Sequence, residues 1–316
     1  MQNSLKNLAV DLNGLLAFVT TPFGPEGEIA PHLMRLQLER LLHAYARVPA
    51  GLFVCCGAGE LGALDLSEYR ALVATAVEVA GGAVPVFAGV GYGTRLAEQF
   101  ARAASAAGAD GVLIFPPYLA EGPQEGLFRH YGAVAAATDG AVIVYNRAQA
   151  RFEPDTVRRL VDAHRNIIGL KDGLGDMRFL TAVRAAMGEA FLLVNGMPCA
   201  EAHAPAFRAA GIAAYSPSGI DFFPELAWAY EEALERGDAM RVERMLERFY
   251  RPYAAMRGLV PGYGIALSKA ARGLRGLPAG GVRPPLVDPS REHLAGLADL
   301  LAQAEALLQE DPCTTS

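Results

Sequence analysis

Hydrophobic residues make up 52% of the 316-residue chain and charged residues 20%, with mean hydropathy +0.20, so the chain buries a sizeable core and disorder is excluded. Lys and Arg number 28 against 34 Asp and Glu, a net charge of −6 and a pI near 5.6, which leaves no broad cationic surface to neutralise a phosphate backbone. Nucleic acid is therefore not an expected partner, and with neither a charged leader before an apolar stretch nor a run of membrane-spanning length, the expectation is a cytoplasmic protein without a membrane partner.

Short β-branched or apolar runs alternate along the chain with longer segments of helical apolar spacing, the mark of a parallel sheet covered by helices. Strands are predicted over residues 15–20, 51–55, 84–88, 111–115, 141–145, 167–171, 191–195 and 213–216. Helices are predicted over 31–46, 67–80, 94–107, 124–137, 154–163, 176–187, 199–209 and 224–236, so each strand has its helix. Ser67, with Arg70 just inside, and Thr94 are start signals, Pro154 and Pro224 suit first-turn positions, and Gly81, Gly108, Gly188 and Gly211 suit the ends. Eight βα units predict a closed (β/α)8 TIM barrel; an open doubly wound sheet more often has fewer units and a Gly-rich first turn.

After residue 236 the pattern becomes helical alone, over 238–256, 263–275 and 290–309, with a Gly- and Pro-rich irregular connection at 276–289 and a frayed tail after Asp311. The expected organisation is a barrel over 1–236 and a C-terminal helical extension over 237–316. The four cysteines (Cys55, Cys56, Cys199 and Cys313) have neither C-x-x-C spacing nor a neighbouring His, so no zinc site and no disulfide framework is expected.

Barrels of this kind place their chemistry at the C-terminal ends of the strands. The polar residues predicted there are Thr20 and Thr21, the loop Gly57-Ala58-Gly59-Glu60, Tyr118, Tyr145-Asn146-Arg147, Lys171-Asp172, Asn195-Gly196, Ser216 and Ser218. Lys171 is the most informative: an ammonium at the tip of the apolar run Ile-Ile-Gly-Leu-Lys is disfavoured by burial, and a neutral amine there attacks a carbonyl to form an imine. The alternative is a lysine paired with Asp172 or Glu60. Tyr145, closing the neighbouring strand, suits a proton shuttle, although a tyrosine at a strand end is more often packed. Together they favour Schiff-base chemistry. The loop around Gly57 and Ala58 offers backbone N–H groups as a carboxylate cradle, or is simply a tight turn. Arg147 suits a second carboxylate through a bidentate contact, or a surface or subunit contact.

These elements resemble the dihydrodipicolinate synthase and N-acetylneuraminate lyase family over nearly the whole chain. The resemblance rests on Gly57-Ala58-Gly59-Glu60, Val144-Tyr145-Asn146 and Gly169-Leu170-Lys171-Asp172, in the family's order and spacing. Val144-Tyr145-Asn146-Arg147, Lys171-Asp172-Gly173-Leu174-Gly175-Asp176, Tyr215-Ser216, Gly262-Tyr263 and Val282-Arg283-Pro284-Pro285-Leu286 look like the branch that dehydrates and decarboxylates a 2-oxo sugar diacid.

The resemblance implies Lys171 as the imine-forming nucleophile, Tyr145 as proton shuttle and the Gly57-Ala58 backbone as the cradle for the 2-oxo-acid carboxylate. Arg147, Gly196, Ser216 and Ser218 are then expected to contact the rest of a small-molecule 2-oxo sugar acid. Tyr118 falls where family members place a tyrosine near a subunit contact, and a homo-oligomer, dimer or tetramer, is expected. No metal and no cofactor is expected, because the protonated imine is itself the electron sink.

Two departures stand out. Ala58 replaces the family's usual relay threonine, so relay would pass through Thr21, Ser218 or water, and Pro217 replaces a hydroxyl residue after Ser216. They keep two alternatives open: a sibling lyase or dehydratase on another 2-oxo sugar acid, such as a deoxy-pentonate, or a synthase-like enzyme; and a barrel that binds a sugar acid without turnover.

Overall fold

The computed structural model describes residues 2–43, 47–118 and 120–310, so residues 44–46 of the predicted second helix, Cys313 and the predicted tail lie outside the described residues. A first helix, α1 (Gln2–Asp11), precedes the barrel and is absent from the sequence expectation, because its residues alternate polar and apolar and carry no capping signal. Ala9 and the fully buried Leu12 join the barrel's interior cluster, so α1 stoppers the mouth at which the strands begin.

Eight strands follow: β1 (Leu16–Phe18), β2 (Gly51–Val54), β3 (Val86–Val90), β4 (Gly111–Ile114), β5 (Ala141–Asn146), β6 (Ile167–Asp172), β7 (Leu192–Asn195) and β8 (Ala214–Tyr215). They form one sheet in sequence order with every neighbouring pair parallel, and a parallel bridge between Leu15 and Tyr215 joins the last strand to the first. The intervening helices are α2 (Pro31–His43), α3 (Leu66–Ala80), α4 (Thr94–Ala106), α5 (Gln124–Ala135), α6 (Pro154–Ala163), α7 (Met177–Met187), α8 (Ala204–Ala209) and α9 (Pro224–Glu235). This is the predicted (β/α)8 barrel.

Helix starts differ in detail from the expectation. Asp65, not Ser67, caps α3: its carboxylate accepts from the N–H groups of Ser67 and Glu68 at 2.7 and 2.9 Å, and Glu68 accepts in return from the Asp65 N–H at 3.2 Å. Gly93 occupies the cap position of α4, with Thr94 already helical.

Alternate residues of each strand fill the interior, and Phe18, Phe53 and Phe87 stack there with centroids 4.4 and 5.0 Å apart. One irregularity matters for the site. Val142 pairs with Ile167 but Ile143 pairs with Gly169, so Ile168 is an extra residue bulged out of the β5–β6 ladder. Ile168 belongs to the interior cluster and Leu170 to the outer one, so the alternation changes phase at the bulge.

Beyond the barrel, α10 (Ala239–Met245) runs through a π-helical turn at Leu246–Tyr250 into α11 (Arg251–Arg257), followed by α12 (Tyr263–Leu274) and α13 (Arg291–Glu310). Lys269 of α12 forms a completely buried ion pair with Glu60 of the β2 loop at 2.5 Å, and Arg283 donates to Ala63 O and to both carboxylate oxygens of Glu68. These contacts bind α12 and the irregular segment after it across the C-terminal mouth. Among the described residues no helix is long and apolar enough to cross a membrane.

Candidate active site

At that mouth lies a cavity of about 620 Å³ whose wall includes Lys171, Tyr145, Gly57, Ala58, Arg147, Gly196, Ser216 and Ser218. All eight come from the strand ends or the loops that follow them. Beyond the bulge at Ile168, Tyr145 and Lys171 are register partners on β5 and β6, and both side chains face the cavity.

Lys171 is buried, and among the described residues it has no carboxylate partner. Asp172, one residue on, faces the other way: its carboxylate accepts from Asn146 Nδ2 at 2.7 Å and from the Gly175 N–H at 2.7 Å. Glu60 is taken by Lys269. The Lys171 amine rests instead 3.4 Å from the centroid of Phe18, at the top of the aromatic stack. Burial holds its pKa down to about 7, with the nearby Arg147 guanidinium pushing the same way, so a large share of the amine is neutral at neutral pH.

Tyr145 donates its hydroxyl to Gly196 O at 3.1 Å and accepts from Arg147 Nη1 at 3.2 Å. Burial raises the phenol's pKa and the Arg147 charge opposes that rise. Arg147 is otherwise exposed and leaves part of its fork toward the cavity. Gly196 lies against the lysine stem, where a Cβ would fall 2.6 Å from Lys171 Cγ and Cε.

Around Gly57 and Ala58 the backbone turns sharply, with Cys55 and Glu60 both in the left-handed region at φ 49° and 55°. Conformations of this kind cost about 1–2 kcal/mol per non-glycine residue. Among the described residues no backbone carbonyl accepts from the N–H of Gly57 or of Ala58, which leaves both donors for a ligand.

The other candidates divide. Ser216 offers a hydroxyl with no protein partner among the described residues. The Ser218 hydroxyl is committed: it donates to Glu201 Oε2 at 3.0 Å, while the Ser218 N–H donates to Glu201 Oε1 at 2.6 Å. Thr21 lies outside the cavity wall, and its hydroxyl donates to Gly59 O at 2.7 Å, which steadies the glycine loop. Tyr118 is 69% exposed and borders a separate depression of about 800 Å³ that shares Gly57, Phe115, Arg147 and Ile265 with the first.

Sequence reasoning missed three groups here: Phe18, which reads only as core; the buried Glu201 behind Ser218; and Arg257, which α11 inserts into the cavity wall. An arginine some 40 positions beyond the last strand carries no strand-end signal, and only the packing of α11 on the barrel reveals it.

Comparison with known proteins agrees with this architecture. Residues 11–304 match the model of the dihydrodipicolinate synthetase family. A probable 5-dehydro-4-deoxyglucarate dehydratase of Streptomyces coelicolor is 45% identical over 303 residues, covering 94% of this chain and 95% of the relative. A second, from Streptomyces avermitilis, is 46% identical over 302 residues, with 94% and 95% covered. Among solved structures, dihydrodipicolinate synthase from Oceanobacillus iheyensis superposes with a TM-score of 0.86 at 24% identity, covering 96% of this chain and 99% of that one, a likeness of fold.

Proposed function

The chain belongs to the dihydrodipicolinate synthetase family, and from that premise we propose that it is a Schiff-base lyase that dehydrates and decarboxylates 5-dehydro-4-deoxyglucarate to 2,5-dioxopentanoate, water and carbon dioxide. The observation that carries the reading is Lys171: a buried amine without a counter-ion, register-paired with Tyr145 in the cavity wall.

The carboxylate beside the substrate ketone sits on the free N–H groups of Gly57 and Ala58, which brings the ketone to Lys171. The neutral amine adds to the carbonyl carbon. Tyr145 gives its proton to the carbinolamine hydroxyl, which leaves as water, and Arg147 stabilises the phenolate this creates. The iminium acidifies the adjacent methylene, whose proton returns to Tyr145. The electron pair so released expels the β-hydroxyl, which leaves as a second water by taking the Tyr145 proton. The conjugated iminium then accepts the electron pair of the bond to the far carboxylate as carbon dioxide departs. Protonation and hydrolysis, which consumes one water, free Lys171 and the product, so one water is released overall.

The reading extends to a homo-oligomer, dimer or tetramer, supported by the exposure of Tyr118 beside the mouth, and to the cytoplasm, supported by three buried free thiols that suit a reducing compartment. Incubation with 5-dehydro-4-deoxyglucarate and borohydride tests the chemistry: the expected result is a mass increment on Lys171, with 2,5-dioxopentanoate formed when borohydride is omitted. A folded protein that yields neither overturns it. Ala58, without the relay hydroxyl, favours one second reading, a sibling lyase on another 2-oxo sugar acid, and a panel of such acids separates the two.

A further inference from the structure

Resting on the diacid reading above, we infer that Arg257 is the specificity-determining residue that receives the substrate's far carboxylate. Arg257 ends α11 and contributes to the wall of the Lys171 cavity, although it lies outside the barrel strands. Its protein contacts are few and weak: Nη1 donates to Ser218 Oγ at 3.3 Å and to Cys199 Sγ at 3.7 Å, and the guanidinium carbon lies 5.8 Å from the centroid of Tyr253. Among the described residues neither Nε nor Nη2 donates to any acceptor, and no carboxylate comes within ion-pair distance.

Its position is nevertheless set. Gly264, in the first turn of α12, packs so closely that a Cβ there would lie 2.7 Å from Nη2 and 2.9 Å from Nε. The buried Glu201 supplies the compensating charge one hydroxyl away: Ser218 gives its hydrogen to Glu201 and its lone pair to Arg257. That arrangement holds the cation without consuming the rest of its fork, the geometry a carboxylate accepts in bidentate fashion. A hydroxymethyl group at the same place would leave the guanidinium desolvated and poorly paired, so the site discriminates a diacid from its monoacid counterpart.

The kinetic signature follows from the chemistry. The far carboxylate is present from binding until carbon dioxide leaves, so Arg257 contributes equally to the bound substrate and to the dehydration transition state. Its loss acts mainly on KM.

The test measures borohydride trapping at Lys171 against concentration for pyruvate, 2-oxohexanoate and the diacid 2-oxoadipate, with steady-state turnover of 5-dehydro-4-deoxyglucarate. It uses the full-length wild type, Arg257→Met, Arg257→Lys and Gly264→Ala. In Arg257→Met, half-saturation by 2-oxoadipate and KM for the sugar diacid are expected to rise roughly 10- to 100-fold, the loss of one charged hydrogen-bonding partner. Trapping of pyruvate and 2-oxohexanoate stays unchanged, and Arg257→Lys recovers part of the loss. A folded Arg257→Met with wild-type preference for 2-oxoadipate overturns the assignment, as does one that loses pyruvate trapping equally. Should Arg257→Met fail to fold, Gly264→Ala decides: displacing the guanidinium must weaken 2-oxoadipate and spare pyruvate, and unchanged 2-oxoadipate saturation overturns the assignment. Wild-type protein that traps 2-oxoadipate through Arg257 yet leaves the sugar diacid unconverted refutes the functional reading alone.

Discussion

A methyl group on Gly196 would fall 2.6 Å from both Cγ and Cε of Lys171, so the residue that follows β7 carries no side chain because the lysine stem occupies that space. Gly196→Ala is expected to turn the amine out of line and lower kcat/KM by about 100-fold or more, the scale of a misplaced reacting group. The stability cost is about 1–3 kcal/mol for an overpacked interior. Turnover together with a denaturant melt checks both, and wild-type kcat/KM in the variant would sink the packing argument.

Lys171→Met is expected to abolish borohydride trapping and turnover, and to raise the melting temperature. A buried amine without a counter-ion is a cost to the fold, and an apolar side chain of similar length removes it. A thermal melt beside the activity assay reads both effects, and a variant less stable than wild type would show that the lysine has a structural partner.

The same amine sets a pH dependence with a definite sign. Its folded-state pKa is depressed to about 7 from an unfolded value near 10.5, so the unfolded chain binds more protons between those limits. Wild-type stability should therefore gain on that of Lys171→Met as pH rises from about 7 to about 10, a gain complete above the unfolded pKa. Imine formation with pyruvate should rise through pH 7 for the same reason. Parallel chemical denaturation of both proteins across that range, and trapping rates on the wild type, are the measurements.

Tyr145 and Arg147 separate by degree. Tyr145→Phe removes the proposed proton carrier and should lower kcat by about 100- to 10,000-fold. Arg147→Met leaves the phenol in place but removes the charge that opposes its burial-raised pKa, so the basic limb of the kcat profile should move to higher pH. A profile unmoved in Arg147→Met would show that the guanidinium does not act on the phenol.

Glu60→Gln should cost about 3–5 kcal/mol, because it leaves the Lys269 ammonium buried without its counter-charge. The loss is expected as earlier protease cleavage around residues 275–290, since the pair ties α12 to the β2 loop. Limited proteolysis of the folded variant checks it.

The eight-fold alternation was legible in the sequence because strand and helix periods differ and each βα unit repeats that difference. Lys171, Tyr145 and the Gly57-Ala58 turn were legible because barrel chemistry sits at strand ends. Other parts carry no local mark. Helix α1 lacks caps, and Asp65 hides two residues before the serine that resembles a cap. Ser218 reads as a free hydroxyl until Glu201 is found behind it, and Arg257 reads as one surface arginine among many until α11 folds over the mouth. These are products of long-range packing, which a local pattern does not encode.

The bulging of Ile168 out of the β5–β6 ladder decides which side of the barrel wall Lys171 occupies. In an unbulged ladder that kept Ile168 opposite Ile143, Leu170 would stand opposite Tyr145 and the lysine would point out among the covering helices. The amine of Lys171 thus owes its place to a defect in the ladder that swallows one surplus residue, and a single-codon deletion of Ile168, which removes surplus and defect together, should leave that amine where it is.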